Sequence, residues 1–147
     1  MARVNKHFWV LRPSSAIVVN GTEVGNAAVL PDSWESVLLT FSLKVSQTLH
    51  AGATADVYVR YSPDQGTTWD DLVHFAQVGN AAYTAQVVSM LLGSSIGVSR
   101  SVRDKTLPAG SVALDVSWCD YLRVEVVTAN LNGTTDTVTV EVDVYAQ

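Results

Sequence analysis

Three kinds of side chain in this sequence have the chemistry to act on a ligand: grouped carboxylates, three histidines and one thiol. The carboxylates gather at the octad Ser62-Pro63-Asp64-Gln65-Gly66-Thr67-Thr68-Trp69, which runs directly into Asp70 and Asp71. A glycoside-cleaving pair needs two carboxylates facing one bond at about 5–10 Å. Asp64 has no second carboxylate at fixed spacing inside the octad, and neighbours such as Asp70 and Asp71 point to opposite faces of a strand. His7, His50 and His74 form no short-spaced pair, and neither HExxH nor CxxC occurs, so the spacing of a zinc site is missing. Asp71 and His74, three apart on an expected strand, are expected on different faces. Cys119 is the single cysteine, which excludes an intrachain disulfide. In Ser117-Trp118-Cys119-Asp120-Tyr121-Leu122 it reads as a buried thiol, and no local signature makes it a nucleophile with Asp120. With no GxGxxG and no Walker loop either, the sequence proposes no catalytic, cofactor-binding or metal residue, and the expectation is a protein that is not an enzyme.

The octad also reads as a structural device. Its flanks, Ala55 to Tyr61 and Leu72 to Val78, are strand-like, which puts it at a hairpin tip. Asp64 can accept hydrogen bonds from N–H groups of its own turn. Gly66 can take a positive φ, and Trp69 can fold its ring over the turn. Ser62, Asp64, Gly66 and Trp69 are therefore the expected tip residues. The pattern Ser-x-Asp-x-Gly-x-Thr-Trp resembles the Asp box of sialidases and other glycan-processing β-propellers. That resemblance would imply a carbohydrate enzyme, but a propeller needs about four four-stranded blades. The chain has 147 residues and one copy of the octad, a one-domain length.

Composition narrows the class further. Charged residues make up 16% and hydrophobic residues 48%, against about 25% charged in an ordinary domain. Interface cores are depleted in charge, so low charge is what a surface covered by partners would show; a Ser/Thr-rich polar surface gives the same figure. The net charge of −5 lacks the basic stripe of a nucleic-acid binder. The N-terminal stretch has no 7–15-residue apolar run, and nothing approaches 18 consecutive apolar residues. The expectation is synthesis in a cytoplasm, without a membrane partner.

The elements that must position these residues alternate with a period of two. Odd positions from Val37 to Val45 are apolar, as are Ala55, Val57, Val59 and Tyr61; Val112, Leu114, Val116 and Trp118; Leu122, Val124 and Val126; and Val138, Val140, Val142 and Val144. Each series is a strand with one face in a core. Asn20-Gly21 predicts a two-residue hairpin between the flanking apolar runs, Gly52 a turn, and Asn132-Gly133 lies in the loop before the last strand. Both Asn-Gly pairs continue into Thr, which matches a glycosylation acceptor but reads here as turn chemistry. Residues 81–92 fit a strand or a short helix. Residues 93–110 read as a long polar loop holding the one basic cluster, Arg100, Arg103 and Lys105; such loops are commonly functional. Residues 1–13, with adjacent Phe8 and Trp9, read as an N-terminal arm. On an extended segment those two rings point to opposite sides, so one can pack at home while the other meets a partner.

Three segments, residues 56–75, 117–127 and 137–147, resemble small β-sandwich structural proteins of tailed bacteriophages. The shared pattern is a strand, the Asp64 hairpin tip ending in Trp69-Asp70, an aromatic entry at Trp118 to Arg123, and a closing strand at the C-terminal end. The resemblance implies a virion part: a capsid decoration or stabilising protein, or a neck or tail component. The expected fold is all-β, an antiparallel sandwich of jelly-roll type with about eight strands, an arm at 1–13 and one domain at 14–147. The expected partners are other copies of the chain and a major capsid or other virion protein, with Phe8, Trp9, Arg100, Arg103 and Lys105 as contact candidates. A carbohydrate-binding module is the rival from another class; Tyr58 is the strand aromatic that the alternation turns outward for it.

Overall fold

The computed structural model describes residues 7–29, 38–81, 85–91, 109–112 and 121–146. Ten strands and no helix occur among them: β1 (His7–Ile17), β2 (Gly21–Val24), β3 (Ala28–Val29), β4 (Leu38–Thr48), β5 (Thr54–Ser62), β6 (Asp70–His74), β7 (Gln86–Leu91), β8 (Ser111–Val112), β9 (Tyr121–Ala129) and β10 (Thr137–Ala146). None of the described residues forms a helix long and apolar enough to cross a membrane. All pairings are antiparallel. One sheet runs β1-β10-β4-β7; the other runs β2-β9-β5-β6-β8, with β3 also on β9.

The alternation read from the sequence becomes the core. Val138, Val140, Val142 and Val144 of β10 and Leu39, Phe41 and Leu43 of β4 have no exposed surface. They share one cluster with Val57 and Val59 of β5 and Leu122, Val124 and Val126 of β9. β-Branched side chains suit this pleated, two-layer surface, and each one buried contributes about 1.5–3 kcal/mol. Of the segment 81–92 left open between strand and helix, Gln86–Leu91 is strand: β7 pairs with β4 from Leu38↔Leu91 to Leu43↔Gln86; residues 82–84 and 92 lie outside the described residues. Beyond Val112, the strand expected to reach Trp118 lies outside the described residues.

Two expectations are corrected. Asn20-Gly21 does not make a hairpin: β1 pairs with β10 and β2 with β9, so the chain changes sheets there. Turn chemistry sets where a chain reverses, and burial of Ile17 in the first sheet's core decides with what it pairs. The Asn20 side chain is spent on the far loop: Nδ2 donates to Leu131 O (3.2 Å) and Leu131 N donates to Oδ1 (2.5 Å). Gly21 takes φ +136, and Thr128 Oγ1 donates to Val19 O at 2.8 Å. Secondly, the expected arm is strand from His7 onward. β1 follows β10 from His7↔Ala146 to Ile17↔Val138, with register shifts on either side of Arg12. The expected boundary at residue 13 therefore falls inside a strand; residues 1–6 lie outside the described residues.

Candidate functional site

The octad closes the turn between β5 and β6 and consumes its own polar groups. Ser62 is fully buried; its Oγ donates to Asp64 Oδ1 (2.8 Å) and accepts from Gly66 N (2.7 Å). Asp64 also accepts from Thr68 N (2.7 Å) and Thr68 Oγ1 (2.8 Å). These donors, the Thr68 N–H foremost, hold the Asp64 carboxyl below the ordinary aspartate value. Gln65 and Gly66 turn the chain at φ +57 and +91. Trp69 Nε1 donates to Gly66 O at 3.0 Å, and the Arg123 guanidinium lies 4.2 Å over the indole. The four expected tip residues are thus brought together as expected. Sequence reading missed the burial of Ser62 and the cover supplied by Arg123, which is distant along the chain.

Beside the tip, the outer face of the second sheet carries a continuous band of polar and aromatic groups. A register shift between β5 and β6 pairs Arg60 with Asp71 and Tyr58 with His74. The extra residue on β6 turns Asp71 and His74 to the same face, correcting the expectation that three-apart residues must part. Arg60 Nε stands 3.0 Å from Asp71 Oδ1 and 3.4 Å from Glu125 Oε2. His74 Nε2 lies 3.0 Å from Asp56 Oδ1, and its ring stacks on Tyr58 at 4.0 Å. Gln77 Nε2 donates to Asp56 at 2.8 Å. Burial, then the Asp56 and Asp71 carboxylates, push the Tyr58 hydroxyl up, so it stays a protonated donor. Asp71, His74 and Glu125 are buried, Asp71 and Glu125 beside Arg60 and His74 against Asp56, and the band stitches β5, β6 and β9 together. Among the described residues no three His, Cys, Asp or Glu groups are placed to hold a metal.

Two further tie points lie at the rims. At one, Asp136 is buried and accepts from His50 N (3.0 Å) and Asn132 N (2.7 Å), with His50 Nδ1 at 2.5 Å; the Asn132 N–H leads in lowering its pKa. At the other, Arg12 is buried on β1: its guanidinium donates to Val140 O and meets Glu23 Oε1 on β2 at 2.5 Å. Arg12 therefore straps the edges of the two sheets together, a role with no signal in the sequence. An open groove of ≈ 340 Å³ lies there, lined by Val10, Arg12, Glu23, Val24 and Ala28 among others.

The partner-contact candidates divide. Phe8 is 52% exposed and sits 5.0 Å from the Tyr145 ring, while Trp9 is half-buried against the core. The two rings do face opposite ways. Arg100, Arg103 and Lys105 lie outside the described residues, as does Cys119. No protein-family model, no curated protein and no solved structure matches the chain.

Proposed function

We propose that this chain is a structural protein of a tailed-phage virion, a jelly-roll sandwich that binds the outside of the assembled head and stabilises it. The observation that carries the reading is the strand order. The order β1-β10-β4-β7 in one sheet and β2-β9-β5-β6-β8 in the other is compatible with two interlocked Greek keys, an architecture of viral capsid domains among others, and supports the reading. The phage-like segments identified in the sequence agree with it. The octad adds support of another kind, since its one carboxylate is held by its own turn. Attachment acts through numbers: many copies of the chain, each burying modest surface on a major capsid protein, hold by avidity across a lattice. Phe8 at the exposed edge of β1 replaces the free arm as the contact candidate within the described residues; Arg100, Arg103 and Lys105 stay candidates from the sequence alone. The reading needs no cofactor, no nucleic acid and no membrane, and it places the protein in virions assembled in the host cytoplasm.

The test is immunogold labelling of particles of the phage that encodes the chain, with antibody raised against the purified protein. Label over the head is the expected result. Label confined to the neck or tail would replace decoration with the alternative virion role, and unlabelled particles would overturn the reading.

A further inference from the structure

Two arginines stand directly opposite each other on the outer face of the second sheet: Arg60 of β5 pairs with Arg123 of β9. Like charges in that position destabilise a sheet, so the pair needs compensation. Asp71 and Glu125 supply it from beneath, with side chains 2% and 10% exposed against 26% and 21% for the two arginines. Arg60 Nε lies against both carboxylates, and Arg123 Nη2 donates to Glu125 Oε2 at 3.3 Å. Each guanidinium is also laid over a ring, Arg60 over Tyr58 and Arg123 over Trp69. The Nε atoms of both are buried. Arg60 Nη1 and Nη2, Arg123 Nη1 and the Tyr58 hydroxyl differ: among the described residues they have no hydrogen-bond partner, and they are not buried. These donors lie side by side, held from below and open above.

Guanidinium forks fit planar oxyanions, and the surroundings select the class. The permanent charges of the band are the carboxylates of Asp56, Asp71 and Glu125 against the guanidiniums of Arg60 and Arg123. A phosphate ester or a peptide rich in carboxylates would meet repulsion there that a single carboxylate escapes. Acceptors lie next to the donors. Glu125 is beside Tyr58 in register, and Asp56 follows one same-face step along β5, about 7 Å further on. Glu125 Oε1 takes no hydrogen bond among the described residues and keeps contact with solvent. Donors for one carboxylate, bordered by acceptors for hydroxyl groups, match a ligand with one negative charge set among O–H groups. We infer that this face binds an acidic sugar. The carboxylate of a hexuronate unit sits on Arg60, Arg123 and the Tyr58 hydroxyl, and its ring hydroxyls donate to Glu125 and Asp56. This goes beyond the proposed virion role and does not depend on it.

Titration of the isotope-labelled full chain with glucuronate, followed by nuclear magnetic resonance, tests it without any particle present. Saturable shifts centred on Arg60, Arg123 and Tyr58 are expected. Glucose, which lacks the carboxylate, is expected to bind at least about tenfold more weakly, the effect of losing a charge-assisted hydrogen bond. Arg123→Gln is expected to weaken glucuronate binding by a similar factor. Arg123→Lys, which keeps the charge and loses the fork, is expected to fall between Arg123→Gln and wild type. Should the Arg123 variants lose their fold, Tyr58→Phe decides the matter, because it removes one oxygen from the site and leaves the ring. Weaker binding by Tyr58→Phe supports the site, and wild-type affinity overturns it. Absence of saturable shifts, shifts centred elsewhere, or glucose bound as tightly as glucuronate also overturns the inference. Inorganic phosphate or triglutamate bound more tightly than glucuronate overturns the assignment to a sugar. Failure here leaves the gold-labelling result standing, and unlabelled virions leave the sugar site standing.

Discussion

Asp64 and Arg12 show two ways in which a single side chain holds this fold. Asp64 works as an ionised acceptor of several donors at once, and its folded-state pKa is lowered from 3.8. The stability it contributes is therefore fully present above that unfolded value and drains as pH falls through the lower folded one. The buried Asp136, also lowered, drains in the same sense. Melting followed against pH should show wild-type stability falling on acidification below about pH 4. Asp64→Asn should start lower at neutral pH and fall less steeply; an identical acid slope would detach Asp64 from this linkage. Glycoside turnover by wild type that vanishes in Asp64→Ala would instead make the octad a site. Arg12 acts by filling and tying a gap. Arg12→Ala should cost about 2 kcal/mol, because the Val140 carbonyl loses its buried donor, and urea denaturation measures it. Glu23→Gln, which keeps an acceptor facing Arg12 on a half-exposed side chain, should cost less than half as much.

At the scale of elements, the β5–β6 hairpin depends on backbone that only a few residues accept. A Cβ at Gly66 would sit 3.7 Å from the Trp69 ring, which is ordinary contact, but φ is +91. Gly66→Ala should therefore destabilise by about 1–2 kcal/mol through backbone strain alone, read as a lower thermal midpoint with Trp69 fluorescence unchanged in the folded state. This hairpin was legible in advance because its determinants are local: Ser62, Asp64, Gly66 and Trp69 contact one another within eight residues. The inward valines of β10 were legible for a similar reason, since period two is a property of neighbours. Asn20-Gly21 was misread because its amide serves Leu131, more than a hundred residues away. The shared face of Asp71 and His74 was invisible because a single extra residue in β6 inverts the alternation. Arg12 gave no warning, as its partners Glu23 and Val140 meet it only when both sheets are assembled.

Considered whole, the molecule has one core fed by both sheets, and the turns after β1, β4 and β9 each cross from one sheet to the other. Neither sheet can keep its apolar face dry alone. Heat should therefore unfold the domain in one transition, with calorimetric and van't Hoff enthalpies equal; two resolved transitions would mean that the sheets are separable. The pairing of β10 has a further consequence, for synthesis. β10 stands between β1 and β4, so the last of the ten described strands in chain order is a central one. Until β10 emerges from the ribosome, β1 has no partner among the described strands and β4 lacks one side. The nascent chain must carry those open strands until residues 137–146 are made, at ~5–20 residues per second. A message truncated before residue 137 would leave them open permanently, yielding not a smaller sandwich but an aggregating chain.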